Sequence, residues 1–97
     1  MNSKLQGESV DYLFEAILSL KSIDECYMFF EDLCTVPELK AMSQRLAVAK
    51  MLQEKKVYSE IVAETGASTA TISRVKRSFD YGSDGYELIF KRLNKEN

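Results

Sequence analysis

Apolar residues recur at helical spacing along the whole chain, and no segment shows the every-second-residue alternation of a strand. Val10, Leu13, Phe14, Ile17 and Leu18 fall at the i, i+3, i+4, i+7 and i+8 positions of one helical stripe. Ser22 with Glu25 has the form of a capping box, in which two side chains satisfy amides of the first turn, and it opens a second stripe of Ile23, Cys26, Tyr27, Phe30, Leu33 and Cys34. Thr35 with Glu38 repeats the box. Pro37 falls in that first turn, where amides lack helical partners and a missing N–H costs little. The helix begun there carries Leu39, Met42, Leu46, Ala49 and Leu52 toward Lys56. A short segment with Tyr58, Ile61 and Val62 stops at Gly66, and the next starts near Ser68 with Ile72, Val75 and Phe79 on one side. Tyr81-Gly82-Ser83 interrupts it. Asp84 with Glu87 forms a third candidate box ahead of Tyr86, Ile89, Phe90 and Leu93. The pattern predicts an all-α fold of about six helices with short connections, in a single domain spanning residues 1–97.

The segment from Tyr58 to Phe79 has the form of a helix-turn-helix, two helices crossing steeply over a turn of three or four residues. Gly66 supplies left-handed backbone for the turn without a Cβ clash, and Ser68 or Thr69 can cap the second helix. Ile61 and Val62 are spaced to meet Ile72 and Val75 and hold the crossing angle. The outward residues of the second helix are small, hydroxylated or cationic. Thr69, Ala70 and Ser73 can approach base edges or thymine methyls, while Arg74, Lys76 and Arg77 reach phosphates or base acceptors. Two ordinary bundle helices would share this spacing, yet a solvated helix normally carries acid where Ser68 to Arg74 has none. The expected interface is Lys55, Lys56, Ser68, Thr69, Ala70, Ser73, Arg74, Lys76 and Arg77, docking on double-stranded DNA by the N-terminal end of the second helix.

A net charge of −2 sits awkwardly with a polyanionic partner until it is resolved along the chain. Residues 1–39 hold 2 basic and 8 acidic side chains, residues 40–79 hold 8 and 3, and residues 80–97 hold 3 and 4. The positive charge is concentrated where the motif lies, as a phosphate-binding face requires.

Composition removes other classes. There is no histidine, no Gly-rich phosphate loop and no serine–base or metal-ligand arrangement, so neither an enzyme nor a metal site is expected. Two cysteines alone cannot complete a tetrahedral zinc site. If Cys26 and Cys34 share a helix they stand about 12 Å apart along its axis, too far for a disulfide. Both are expected as reduced thiols packed like small apolar side chains. No apolar run approaches the roughly 18 residues of a membrane span, and residues 1–8 lack a secretory pattern. A cytoplasmic protein without membrane contact is expected.

Two blocks, Thr35-Val-Pro-Glu-Leu-Lys-Ala-Met-Ser-Gln-Arg45 and Gly66-Ala-Ser-Thr-Ala-Thr-Ile-Ser-Arg74, resemble the tryptophan repressor superfamily, most closely its short YerC/YecD-like bacterial relatives. The similarity runs from about Leu33 to Phe79. It implies six helices per chain in an intertwined homodimer, with two helix-turn-helix units projecting toward successive major grooves. It also implies a sequence-specific transcriptional regulator, of the repressor type. Of the family's corepressor pocket, Arg45 and Arg74 stand where two arginines flank the indole, and Thr35 and Ser78 also match. Val75 replaces a glycine that leaves room for the ligand, and Asp32 and Cys34 replace leucines. The branched side chain is expected to fill part of the slot, so tryptophan is not expected as a cofactor and any other small-molecule effector stays open. Arg45 and Arg74 then fit phosphate contacts or intersubunit ion pairs. Two further functions remain: a helical protein–protein adaptor that keeps the fold without reading DNA, and an origin-binding or architectural DNA protein.

Overall fold

The structure, a computed structural model, describes residues 6–95. Six helices follow one another: α1 (Glu8–Leu18), α2 (Ile23–Leu33), α3 (Val36–Gln53), α4 (Tyr58–Thr65), α5 (Thr69–Tyr81) and α6 (Gly85–Lys95). There is no strand among the described residues, and no helix is long and apolar enough to cross a membrane. The chain divides into two compact units, Met1–Leu39 and Lys40–Asn97. The division falls within α3, and it also parts the acidic segment of the sequence from the basic one.

In the first unit the capping residues act much as their spacing predicts. Ser22 Oγ accepts the Glu25 amide at 3.1 Å, while the Glu25 carboxylate turns to the amide of Lys21, at 2.8 Å, rather than to that of Ser22. The box opening α3 is complete: the Thr35 amide donates to Glu38 Oε1 at 2.8 Å, and the Glu38 amide to Thr35 Oγ1 at 3.2 Å. Both predicted stripes form as helices, but neither α1 nor α2 contains a buried residue. Tyr12, Phe14, Leu18, Ile23, Tyr27 and Met28 are each more than half exposed. Cys26 is exposed and Cys34 half-buried, both as free thiols. Cys26 is therefore not packed as expected, because the stripe it belongs to is not covered.

The buried core lies in the second unit. It draws Val48, Ala49 and Met51 from α3, Ile61 from α4, Ala67 from the turn, Ile72 and Val75 from α5, and Phe90 from α6. Along α3 the core takes Ala49 and Leu52 from the stripe read in the sequence and adds Val48 and Met51. Val48, Met51 and Leu52, at i, i+3 and i+4, face this core, whereas Met42 and Leu46 remain about two-fifths exposed. The rings of Phe79 and Tyr86 stack with centroids 6.4 Å apart, those of Tyr86 and Phe90 at 6.2 Å. Lys50 Nζ stands 5.4 Å from the centre of the Phe90 ring, an attraction between cation and ring face. This ladder joins α5 and α6 to α3.

Two helix ends differ from expectation. α3 closes at Gln53 because Lys55 adopts φ 61, with Lys56 N–H on Met51 O and Lys55 N–H on Leu52 O, both at 3.0 Å. That is a Schellman closure with lysine in the place usually held by glycine. The predicted Asp84–Glu87 box does not form: Asp84 sits at φ 63, not in the extended backbone an N-cap needs. Its carbonyl still accepts the Leu88 amide, as the first intrahelical bond of α6. Gly82, which ends α5, is also required, since a Cβ there would run into the carbonyl oxygen of Ser78.

Candidate functional site

α4 and α5 are joined by three residues, Gly66, Ala67 and Ser68. Gly66 takes φ 71 and ψ 6, the left-handed conformation, and its amide closes α4 on Val62 O at 2.9 Å. Ala67 turns inward and is only 2% exposed. Ser68 then caps α5, its Oγ accepting the Thr71 amide at 3.1 Å and lying 3.1 Å from the Thr71 hydroxyl. The crossing is locked by Ile61, Ile72 and Val75, each at or below 2% exposure. Val62 does not join them. It is 38% exposed, because one turn of α4 presents a single position to α5 and Ile61 takes it. Ala67, in its place, plugs the turn side of the core. Only its small size flanking Gly66 hinted at this in the sequence.

All nine residues expected to meet a nucleic acid are exposed: Lys55 and Lys56 before α4, Ser68 at the cap, and Thr69, Ala70, Ser73, Arg74, Lys76 and Arg77 on α5. α5 has no acidic residue in its first turn and none before Asp80. The cations are not equivalent. Lys76 Nζ pairs with Asp80 Oδ2 at 3.0 Å, whereas Arg74 and Arg77 enter no ion pair among the described residues.

The candidate effector residues differ in burial and in engagement. Val75 points into the helix-turn-helix core, Arg45, Arg74 and Ser78 are exposed, and Thr35 is engaged in capping α3. A groove between α3 and α6, lined by Leu46, Lys50, Phe90 and Leu93 among others, includes none of the five. Among the described residues no three His, Cys, Asp or Glu side chains come together as a metal site.

Two polar residues escaped the sequence reading. Gln44 Nε2 donates to the carbonyl oxygen of Thr65 at 3.1 Å. Thr65 Oγ1 donates to Ile61 O at 2.7 Å and accepts the Ala67 amide at 3.1 Å. No spacing rule could have paired Gln44 with a residue 21 positions away.

A three-residue turn with left-handed Gly66, a capped second helix and an acid-free leading face have the form of a helix-turn-helix, the unit on which Trp repressor proteins are built. The chain belongs to the Trp repressor family: the family model described as Trp repressor protein matches residues 8–94. It is 55% identical over 92 residues to the uncharacterized protein YerC of Bacillus subtilis (strain 168), covering 95% of this chain and 88% of that one. A crystal structure of a TrpR-like protein from Eubacterium eligens superposes with a TM-score of 0.93 at 58% identity, covering 96% of each chain. A candidate Trp repressor from Staphylococcus aureus superposes equally well at 55% identity, over 97% of this chain and 95% of that one.

Proposed function

We propose that this protein is a sequence-specific double-stranded DNA-binding regulator of transcription, of the repressor type, acting as a homodimer in the cytoplasm without catalysis or a tryptophan cofactor. The observation that carries the reading is the exposed, acid-free leading face of α5, Thr69, Ala70, Ser73 and Arg74, set on a turn fixed by Gly66 and capped by Ser68. Short side chains there let the helix backbone approach base edges, and Arg74, Arg77, Lys55 and Lys56 supply phosphate contacts that set register. Family membership supports the same reading.

The dimer rests on the first unit. Helices α1 and α2 carry broad apolar stripes with no buried residue, and each large side chain covered would gain about 1.5–3 kcal/mol. A second copy of the chain is the partner that the family architecture offers. Light scattering at micromolar concentration should return twice the 11.1 kDa chain mass, and a stable folded monomer would overturn the arrangement.

The deciding experiment is a mobility shift on duplexes enriched by the protein from a random-sequence pool, repeated across salt. With roughly 8 phosphate contacts per dimer the log–log slope of affinity against salt should be near −7. A slope near zero, or no enrichment, favours the adaptor, a reading that the acidic charge of residues 1–39 would suit.

A further inference from the structure

The α4–α5 pair rests on α3 through non-directional apolar contacts and one directional one. Ile61, Ile72 and Val75 bury against Val48, Ala49 and Met51, and such a contact tolerates small rotations because dispersion and burial change little over a few degrees. The hydrogen bond from Gln44 Nε2 to Thr65 O, at 3.1 Å, is the one side-chain hydrogen bond among the described residues that joins α3 to this pair. It falls at a telling place. Thr65 is the last residue of α4, so its carbonyl is one that no helical amide can take. The same residue's hydroxyl holds Ile61 O at 2.7 Å and the amide of Ala67 at 3.1 Å, and Ala67 is buried in the core. A continuous chain of polar contacts therefore runs from the middle of α3, through the end of α4, into the turn that starts α5. Hydrogen bonds weaken steeply when bent, so this chain sets the angle that the apolar core leaves soft.

We propose that Gln44 is a positioning residue for DNA recognition: its amide pins the helix-turn-helix turn to α3, holding Thr69, Ala70 and Ser73 at the setting that reads base edges without help from a bound small molecule. The role rests on the DNA-binding reading above. Gln44 is half-buried and neutral, so it contributes no phosphate contact of its own. Its effect falls on base readout, which needs exact placement, and not on the contacts of Lys55, Lys56 and Arg77, whose long side chains follow a phosphate through small shifts.

The test compares wild type, Q44M and Q44K on a duplex enriched by the wild-type protein from a random pool and on a scrambled duplex. Q44M keeps the length of the side chain and removes the donor; Q44K keeps a donor of similar reach. Q44M should lower the ratio of specific to random affinity about two- to tenfold, leave affinity for the scrambled duplex and the salt slope unchanged, and speed exchange of the Ala67 amide in the free protein. Q44K should keep the wild-type ratio, its added charge acting on both duplexes alike. Should Q44M melt below the assay temperature, the donor-free Q44E takes its place and the same ratio decides. A discriminating wild type with an equal ratio in Q44M, or a Q44K that loses the ratio as fully as Q44M, overturns the positioning role alone. A wild-type protein that discriminates no sequence overturns the DNA reading, and this role with it.

Discussion

Lys76 and Asp80 face each other one turn apart on α5, with Nζ 3.0 Å from Oδ2. A lysine and an aspartate four residues apart are neighbours on a helix surface, so the cation expected to meet DNA already has an anion beside it. The hydrogen bond that the Lys76 ammonium donates to Asp80, and after it the Coulomb attraction of the same carboxylate, hold that ammonium above the usual lysine range. A raised folded pKa means that the pair's contribution is complete below the ordinary lysine pKa and is lost only as pH rises through the folded value. Lys76 is therefore charged at any pH used for binding. On the DNA-binding reading, Asp80 competes with phosphate for it. Asp80→Asn should tighten binding to specific and random duplexes alike and steepen the salt slope by about one contact per subunit. Unchanged affinity and slope would place Lys76 away from the DNA.

The Thr35–Glu38 box predicts an acid-sensitive helix start. Hydrogen bonds from the Thr35 amide, and after it the Thr35 side chain, lower the Glu38 pKa below the ordinary glutamate range. A depressed folded pKa means that the stabilisation is present above the unfolded pKa and is lost as pH falls through the folded one. The difference in melting temperature between wild type and Glu38→Ala should hold steady above about pH 5 and shrink as pH drops below about 4. A difference independent of pH down to about pH 3 would show that the carboxylate charge is irrelevant to the cap.

Lys55 combines two roles that a pair of variants can separate. At φ 61 it holds a left-handed conformation that costs a residue with a Cβ roughly 1–2 kcal/mol. Lys55→Gly should relieve part of this and raise stability by about 0.5–1 kcal/mol, while weakening DNA binding by one cation. Lys55→Ala should weaken binding equally without the stability gain. Equal melting temperatures for the two variants would contradict the backbone argument.

Val75 bears on the effector. It is 2% exposed within the helix-turn-helix core, so Val75→Gly should lose roughly 2–4 kcal/mol from the cavity and the helix propensity of glycine together. Millimolar L-tryptophan should not raise the wild-type melting temperature. A ligand bound at 100 times its dissociation constant would stabilise the fold by about 2.7 kcal/mol, and a melt showing such a rise would demonstrate a pocket that Val75 does not block.

The six helices, the Gly66 turn, the Ser68 cap and the Thr35–Glu38 box were legible in the sequence because each rests on residues within four positions of one another. Local hydrogen bonds and helical periodicity carry that information directly. The exposed set on α5 was legible for the same reason: the face opposite Ile72 and Val75 follows from the pitch of one helix.

What only the tertiary structure decided lies between helices. α3 offers apolar residues on two faces, and periodicity cannot say that Val48 and Met51 meet the core while Met42 and Leu46 stay open. Ile61 and Val62 are equally aliphatic neighbours, yet the steep crossing leaves room for one of them, and Ala67 fills the space that remains. Asp84 has the right chemistry for a cap and the wrong backbone, because the path from Gly82 to α6 imposes φ 63 on it. Gln44 and Thr65 meet across 21 residues, and no local rule pairs an amide with a carbonyl so far away. Chain pitch fixes what faces outward along a single helix. Which of two apolar faces is buried, and which polar side chain closes the turn, depends on how separate helices are set against one another, and no single helix carries that information.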